Sequence, residues 1–219
     1  MKPNYDLAAT KAMEILLENK ISSAPIMPLP ILKKMDGVLV LSFAEISDCV
    51  GMERSNVISM FGLHNQDAVT TVHLDNGKVH YVVAYNQRMQ LFMVQRALAR
   101  ELGHIVLGHD GSRPEEVRNA EAICFANHLL SPRPLIKMVQ ESGIPFTVEL
   151  LGNMTGCYEH CLNCMNNLPG VDVAPELNRQ IREQFSDYVD NFLEFQKVLS
   201  SKYHSSLVNF GTYMDNYKE

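Results

Sequence analysis

Apolar residues recur at helical spacing along most of the chain. The first predicted helix covers residues 5–20, where apolar side chains return three and four positions apart. The same pattern, interrupted by prolines and glycines, predicts further helices or helical turns over residues 31–35, 44–51, 87–107, 115–130, 135–141, 146–166 and from Pro175 onwards. In the last of these helices the apolar residues form one stripe, which predicts packing against the rest of the protein.

Two regions between these helices have the pattern of β-strands. Residues 38–43 are a run of apolar and β-branched residues, which predicts a strand. Residues 72–74 and 79–83 flank Asn76-Gly77, a dipeptide that adopts the positive φ angles of a tight hairpin turn. We therefore expect a β-hairpin, followed by a helix that Asn86 caps and Gly108 ends. Together the elements predict an α+β fold with a small antiparallel sheet packed on helices.

The composition is typical of a folded globular protein. The chain has 219 residues, of which 46% are hydrophobic and 20% charged. We expect one domain over residues 1–170 and a C-terminal amphipathic helix and tail over residues 171–219. The formal net charge of −6 argues against direct binding to nucleic acid, and no apolar run is long enough to predict a membrane span. The first residues lack the profile of a signal peptide, so a cytoplasmic location is expected.

The predicted helix over residues 87–107 contains a variant of a zinc-binding motif. In the motif H-E-x-x-H, two histidines on one helix face bind zinc, and the glutamate acts as general base on the metal-bound water. Glu101 and His104 occupy the last two positions of this motif, whereas Arg100 stands where the first histidine belongs. A guanidinium stays protonated in proteins and cannot bind a metal ion. The sequence therefore predicts a catalytic base and one ligand, with one ligand position altered.

Two segments together resemble the ImmA/IrrE family of zinc metallopeptidases. Residues 98–104 read Leu-Ala-Arg-Glu-Leu-Gly-His, where the family's active helix reads L-A-H-E-L-G-H-x-x-L-G-H. Residues 121–132 match the family's next helix, which reads E-A-N-x-F-A-x-x-L-L-M-P and begins with a ligand glutamate. The resemblance extends over roughly residues 5–140, including the loop near Pro25 and the strand before Asn86. It implies a minimal zincin-like domain with Glu121 as a further zinc ligand.

The resemblance also implies an activity and a partner. Members of this family cleave helix-turn-helix repressors of mobile elements or stress regulons, so a zinc endopeptidase acting on such a repressor is expected. Glu101 would be the base, His104 and Glu121 the ligands, and the strand over residues 79–85 would add an extended substrate to its edge. The alternative is a catalytically inactive pseudopeptidase that acts as a protein-binding regulatory module, because Arg100 replaces a ligand.

The charge of Arg100 leads to two competing expectations for the site. In the first, Arg100, Glu101, His104 and Glu121 meet in one cleft, and Arg100 pairs with one of the carboxylates where zinc would lie. In the second, a substitute ligand restores the metal site. Candidates are His109, provided that Gly108 ends the helix, and Cys124 and His128, which share one side of their helix with Glu121.

A separate cluster consists of Cys157, Cys161 and Cys164, with His160 between them. Thiolates and imidazole are soft ligands, so a zinc site is one interpretation. Structural zinc sites usually take their ligands from two separated pairs, whereas all four residues here lie within one short segment. The three cysteines also share one predicted helix face. We therefore expect reduced thiols that are buried in a core and bind no metal.

Overall fold

The computed structural model of the protein describes residues 1–61, 67–144, 147–156 and 170–203. These ranges contain nine α-helices and three β-strands, which confirms the predicted α+β class. The strands are β1 (Val38–Ser42), β2 (Ala68–Asp75) and β3 (Lys78–Tyr85). The helices are α1 (Tyr5–Glu18), α2 (Pro28–Lys34), α3 (Phe43–Val50), α4 (Arg54–Met60), α5 (Leu91–Val106), α6 (Glu115–Leu130), α7 (Arg133–Glu141), α8 (Val148–Thr155) and α9 (Pro175–Tyr203).

The sheet is mixed, so the prediction of an antiparallel sheet is wrong in part. β2 and β3 form the predicted antiparallel hairpin, in which Asn76 and Gly77 both have positive φ angles, 48° and 77°. β1 instead pairs with β3 in parallel, with Val38 opposite Tyr81 and Ser42 opposite Tyr85. A parallel pair needs a long crossover connection, and the segment holding α3, α4 and β2 supplies it between β1 and β3.

The order of the strands is β1-β3-β2, which makes β2 an edge strand. The expectation that β3 offers an edge to a substrate is therefore wrong, because β3 has a partner on each side. Residue periodicity shows which side chains are buried, but not which strand lies in the middle of a sheet. At the far end of β2, Val72 and Leu74 are exposed, and the opposite residue Val79 on β3 is exposed as well.

Three helices pack closely on one another beside this sheet and position the site. α6 lies against both α1 and α5. Small residues permit the close approach: Ala8 and Ala12 of α1 are fully buried, and Gly103 of α5 faces α6. A Cβ atom at Gly103 would lie only 3.0 Å from the Phe125 ring and 3.2 Å from the Ala122 carbonyl oxygen. The absence of a side chain at this position therefore sets the distance between α5 and α6.

Several helix boundaries differ from their predictions for local reasons. α5 begins at Leu91, later than the predicted start after Asn86. The side chain of Asn86 accepts hydrogen bonds from Arg54 and the Arg88 amide, and so stabilises a turn before the helix instead of capping it. α4 was not expected from the sequence. α8 covers Val148–Thr155 and is capped by Gly156, which has a φ of 75°. The later part of the helix predicted over residues 146–166 lies outside the described residues. Cys157, Cys161 and Cys164 lie outside the described residues.

The C-terminal helix α9 packs on α1 and α7. Ile181, Phe185 and Val189 recur along one side of it and are fully buried or nearly so. The predicted apolar stripe is thus a packing face that contributes to the same core as α1. Among the described helices, none combines the length and the apolar character that a membrane crossing requires.

Candidate functional site

A cavity of about 270 Å³ lies between the edge strand β2 and the helices α5 and α6. Its walls include Thr70 and Val72 of β2, Arg100, Glu101 and His104 of α5, and His109 and Arg118 further along the chain. Three of the four residues that were expected to meet in a cleft therefore do so. The fourth, Glu121, does not line the cavity and reaches His104 only through His109.

Arg100 pairs with the neighbouring Glu101, one of its two predicted partners. Its Nη2 lies 2.9 Å and its Nε 3.2 Å from Oε1 of Glu101, and Nη2 also donates to the Ala68 carbonyl oxygen at 3.3 Å. The guanidinium thus binds both the catalytic-base position of the motif and the backbone of β2. Arg100 thus places a positive charge beside Glu101 in this part of the cavity.

Glu101 is almost completely buried and receives its hydrogen bonds from two residues, Arg100 and Thr70. Apart from Arg100, its contacts come from Thr70 of β2, whose hydroxyl donates to Oε2 at 2.7 Å and whose backbone amide also bonds to the carboxylate. Burial raises the pKa of Glu101, and this effect outweighs the lowering by Arg100 and Thr70. The carboxylate therefore takes up a proton more readily than an ordinary glutamate does.

The end of α5 brings His109 back to His104. The helix ends at Val106, Gly108 adopts a φ of 61°, and the His109 amide donates to the His104 carbonyl oxygen at 3.0 Å. The two Nδ1 atoms consequently lie 2.8 Å apart, and the rings meet edge to face. Gly108 thus meets the condition for a role of His109, because the helix does not continue past it.

Glu121 is buried and receives four hydrogen bonds. Arg113 donates from both terminal nitrogens, Nη1 to Oε2 at 2.8 Å and Nη2 to Oε1 at 2.7 Å. The Asn4 amide donates to Oε1 at 2.6 Å, and Nε2 of His109 lies 2.9 Å from Oε2. Burial raises the pKa of Glu121, but these donors together lower it below its ordinary value. Two contacts on each oxygen use all the positions at which a carboxylate accepts hydrogen bonds.

Arg113 is the site residue that the sequence did not reveal. It lies in the loop before α6 and is followed by Pro114, the N-cap residue of that helix. No periodic pattern includes this loop, and the separation of Arg113 from Glu121 corresponds to no helical or strand repeat. An ion pair between a loop and a helix carries no sequence signal of its own.

Both His104 and His109 are neutral at neutral pH, so each ring carries one proton, and its hydrogen bonds define which nitrogen holds it. Burial, with smaller contributions from His109, Arg100 and Arg118, lowers the pKa of His104 to about 4, although a hydrogen bond with Asn119 opposes the shift. Burial also lowers the pKa of His109, although Glu121 opposes that shift. Since a carboxylate only accepts, Nε2 of His109 donates to Glu121 and its Nδ1 accepts from Nδ1 of His104. The nitrogen of His104 that remains unprotonated is therefore Nε2.

The other two candidate ligands lie outside the cavity. Cys124 contacts the Tyr5 carbonyl oxygen and Nδ1 of His128, with its sulfur 3.7 and 3.6 Å away, respectively. His128 is fully buried, and its Nδ1 donates to the Cys124 carbonyl oxygen at 2.9 Å. Burial raises the pKa of the Cys124 thiol to about 12, which makes it a poor ligand. Both residues share Glu121's side of α6, but at their level this side faces α1.

The arranged side chains do not fit a three-ligand zinc site. Arg100 occupies one ligand position, and the hydrogen-bond positions of Glu121 are all used. Two neutral imidazoles, those of His104 and His109, are the remaining donors. Across residues 1–61, 67–144, 147–156 and 170–203, no three His, Cys, Asp or Glu side chains are grouped so that they could hold a metal ion.

Comparisons of the chain with protein-family models, with curated proteins and with solved structures found no significant match.

Proposed function

We propose that this chain is a metallopeptidase-like protein of the ImmA/IrrE type that binds an extended segment of a partner protein without cleaving it. One observation carries the proposal: each carboxylate of the motif is paired with its own guanidinium, Glu101 with Arg100 and Glu121 with Arg113. Zinc would normally balance these two negative charges. With the charges already balanced, the zincin-like plan supplies a binding cavity instead of a catalytic centre.

The edge of β2 is the surface that would take the segment. Asp75 and Lys78 flank a two-residue turn and form a hydrogen-bonded pair. Every second residue of β2, counted back from Asp75, therefore bonds to β3, and the backbone groups of residues 68, 70, 72 and 74 point to the free edge. Two of these groups are already bound, because Ala68 accepts from Arg100 and the Thr70 amide bonds to Glu101. The outer part of the edge, at Val72 and Leu74, pairs with no other strand in the part of the chain that the structure describes.

An extended polypeptide fits this outer edge better than a helix or a small molecule does. Strand addition satisfies exposed backbone groups, and the exposed side chains of Val72, Leu74 and Val79 offer apolar contacts beside them. The cavity at Arg100 and Arg118 would receive a side chain of the same segment. The partner that the resemblance implies is a helix-turn-helix repressor, bound through an extended segment.

The test uses peptides selected from a random displayed library for binding to the full chain. Val72→Pro removes the amide that points to the free edge, whereas Val72→Thr keeps that amide and the shape of the side chain. We expect selected peptides to bind Val72→Pro about ten-fold more weakly and Val72→Thr unchanged, measured by fluorescence anisotropy. Equal binding to both variants would contradict an edge site. Mass spectrometry should find each peptide intact after incubation with zinc.

A zinc endopeptidase is the second candidate, and the contact between His104 and His109 favours it. Their Nδ1 atoms lie 2.8 Å apart, and Glu121 bonds to the far nitrogen of His109. A carboxylate on the far nitrogen is the usual partner of a zinc-binding histidine. Cleavage of a selected peptide that requires zinc and is lost in Glu101→Gln would establish this candidate over the first.

A further inference from the structure

We propose that the pairing of Arg113 with Glu121 prevents zinc from binding at this site. The substitution Arg100→His, which restores the histidine of the motif, does not by itself remove this obstacle. The inference starts from the four contacts of Glu121, two of which come from the guanidinium of Arg113 at 2.7 and 2.8 Å. A zinc ion can bind a carboxylate oxygen only at a lone pair that no donor occupies. At Glu121 a metal would have to displace at least one of these donors.

The Arg113 pair is harder to displace than the Arg100 pair. Arg113 binds Glu121 with two parallel bonds, one to each oxygen, whereas both nitrogens of Arg100 converge on the same oxygen of Glu101. Bidentate pairing, with one hydrogen bond to each carboxylate oxygen, is the stronger geometry for a guanidinium and a carboxylate. The backbone of Arg113 is also held, because its carbonyl oxygen accepts from Nε of Arg118 at 3.1 Å.

The charges at the site also oppose zinc binding. Each of the two carboxylates is already paired with a guanidinium group, Glu101 with Arg100 and Glu121 with Arg113. A zinc ion would add two positive charges next to two fixed cations. Arg100→His removes one cation and supplies a nitrogen ligand, but it leaves Arg113 on Glu121. Removing both guanidinium groups frees position 100 and one hydrogen-bond position on each oxygen of Glu121, and His109 must then turn away from between His104 and Glu121 for these positions to share a zinc ion.

This inference concerns metal binding alone and does not rest on the proposed segment binding. If peptides fail to bind at the β2 edge, the charge balance inside the cavity is unaffected. If the zinc measurements fail, the edge of β2 still offers its backbone groups. The two experiments therefore fail separately.

The test measures zinc binding by isothermal titration to the untagged full chain and to Arg100→His, Arg113→Gln and the double variant. We expect weak or no binding by the single variants. The double variant should bind near one equivalent, about 100-fold more tightly than Arg100→His. Arg96→Gln combined with Arg100→His is the matched control, because Arg96 lies on the same helix as position 100 but lines a different cavity from His104. This control should behave like Arg100→His alone.

Further variants assign the metal to the site and secure the interpretation. His104→Ala in the double variant should abolish the binding, and circular dichroism should show that every variant is folded. The proposal is overturned if Arg100→His alone binds zinc as tightly as the double variant does. It is also overturned if the folded double variant binds none, or if its zinc survives His104→Ala.

Discussion

Glu101 and Glu121 expose similarly small fractions of their surfaces, 3% and 2%, but their surroundings shift their pKa values in opposite directions. Burial raises the pKa of Glu101, and its donors, Arg100 and Thr70, do not compensate. At Glu121, burial acts in the same sense, but Arg113, the Asn4 amide and His109 more than compensate for it. The balance between burial and donors sets the direction of each pKa shift, and Glu101 is the more deeply surrounded of the two carboxylates.

The comparison also separates two roles within one site. Glu121 is a structural anion that ties together the N-terminal segment, the loop before α6 and the end of α5 through Asn4, Arg113 and His109. Glu101 lies beside the cavity and connects α5 to the edge strand through Thr70. Changes at Glu121 should therefore affect stability most, whereas changes at Glu101 should affect the properties of the cavity.

The largest expected difference is between Glu121→Gln and Glu101→Gln. Glu121→Gln replaces a buried carboxylate that accepts four hydrogen bonds with a neutral amide, which should lower the free energy of unfolding by about 3 kcal/mol. The same change at Glu101 should cost less than about 1.5 kcal/mol, because its charged form is already disfavoured by burial. Urea denaturation of both variants at neutral pH measures the two values. Equal losses would contradict the division of roles.

Substitution of Arg113 should likewise lower the free energy of unfolding more than substitution of Arg100 does. This difference should be smaller than the difference between the two glutamates. We expect Arg113→Gln to lower the free energy of unfolding by about 2 kcal/mol and Arg100→Gln by about 1 kcal/mol, because only Arg113 binds its carboxylate through both oxygens. The side chains are similarly exposed, at 28% and 32%, so solvent screening does not explain such a difference. Urea denaturation again provides the measurement, and a reversed order would count against the geometric argument.

Gly103→Ala tests the helix contact that brings the two carboxylates into one site. The added methyl group would meet the Phe125 ring and the Ala122 carbonyl oxygen, so α5 and α6 would have to move apart. We expect a loss of about 2 kcal/mol in the free energy of unfolding, typical of overpacking. Ala99→Gly, at a fully buried neighbour on the same helix, is a control for the helix propensity of this segment. A Gly103→Ala variant as stable as the native chain would show that α6 is not held this closely.

The pH dependence of stability should distinguish the two carboxylates by sign. The pKa of Glu121 is lower in the folded state, so its contribution is present above the unfolded value of 4.5 and is lost as the pH falls through the folded pKa. The pKa of Glu101 is higher in the folded state, so its contribution is present below 4.5 and is lost as the pH rises through the folded pKa.

The difference in the free energy of unfolding between the native chain and Glu121→Gln should therefore become smaller as the pH falls below 4.5. The stability of Glu101→Gln relative to the native chain should increase as the pH rises above 4.5. Chemical denaturation over a series of pH values measures both differences. Differences that move in the same direction would contradict the opposite pKa shifts.

The sequence predicts best the parts of the molecule that depend on local periodicity. The helix over residues 115–130 was located at the bounds found for α6, because acidic residues begin it and Ser131-Pro132 follows it. The hairpin follows from Asn76-Gly77 for a similar local reason. The position of Arg100 on the helix face with His104 also follows from spacing. The charge of Arg100 predicts pairing with Glu101 or Glu121, and the observed partner is Glu101.

The features that the sequence did not predict depend on contacts between distant segments. The parallel pairing of β1 with β3 makes β2 the edge strand, and no pattern within a strand specifies its neighbours. Arg113 reaches Glu121 from a loop, where no repeat relates the two positions. Cys124 and His128 share a helix face with Glu121, but α1 covers that face at their level, so shared spacing did not bring them to the site.

The zinc content of the native chain tests most directly whether the two ion pairs take the place of a metal. The protein would be purified without a histidine tag, dialysed against zinc and then against buffer, and measured by mass spectrometry of the metal beside its His104→Ala variant. We expect both proteins to hold the same amount of zinc, so that any bound metal belongs to groups other than His104. One further equivalent of tightly bound zinc in the native chain, lost in His104→Ala, would contradict the metal-free site and favour the endopeptidase.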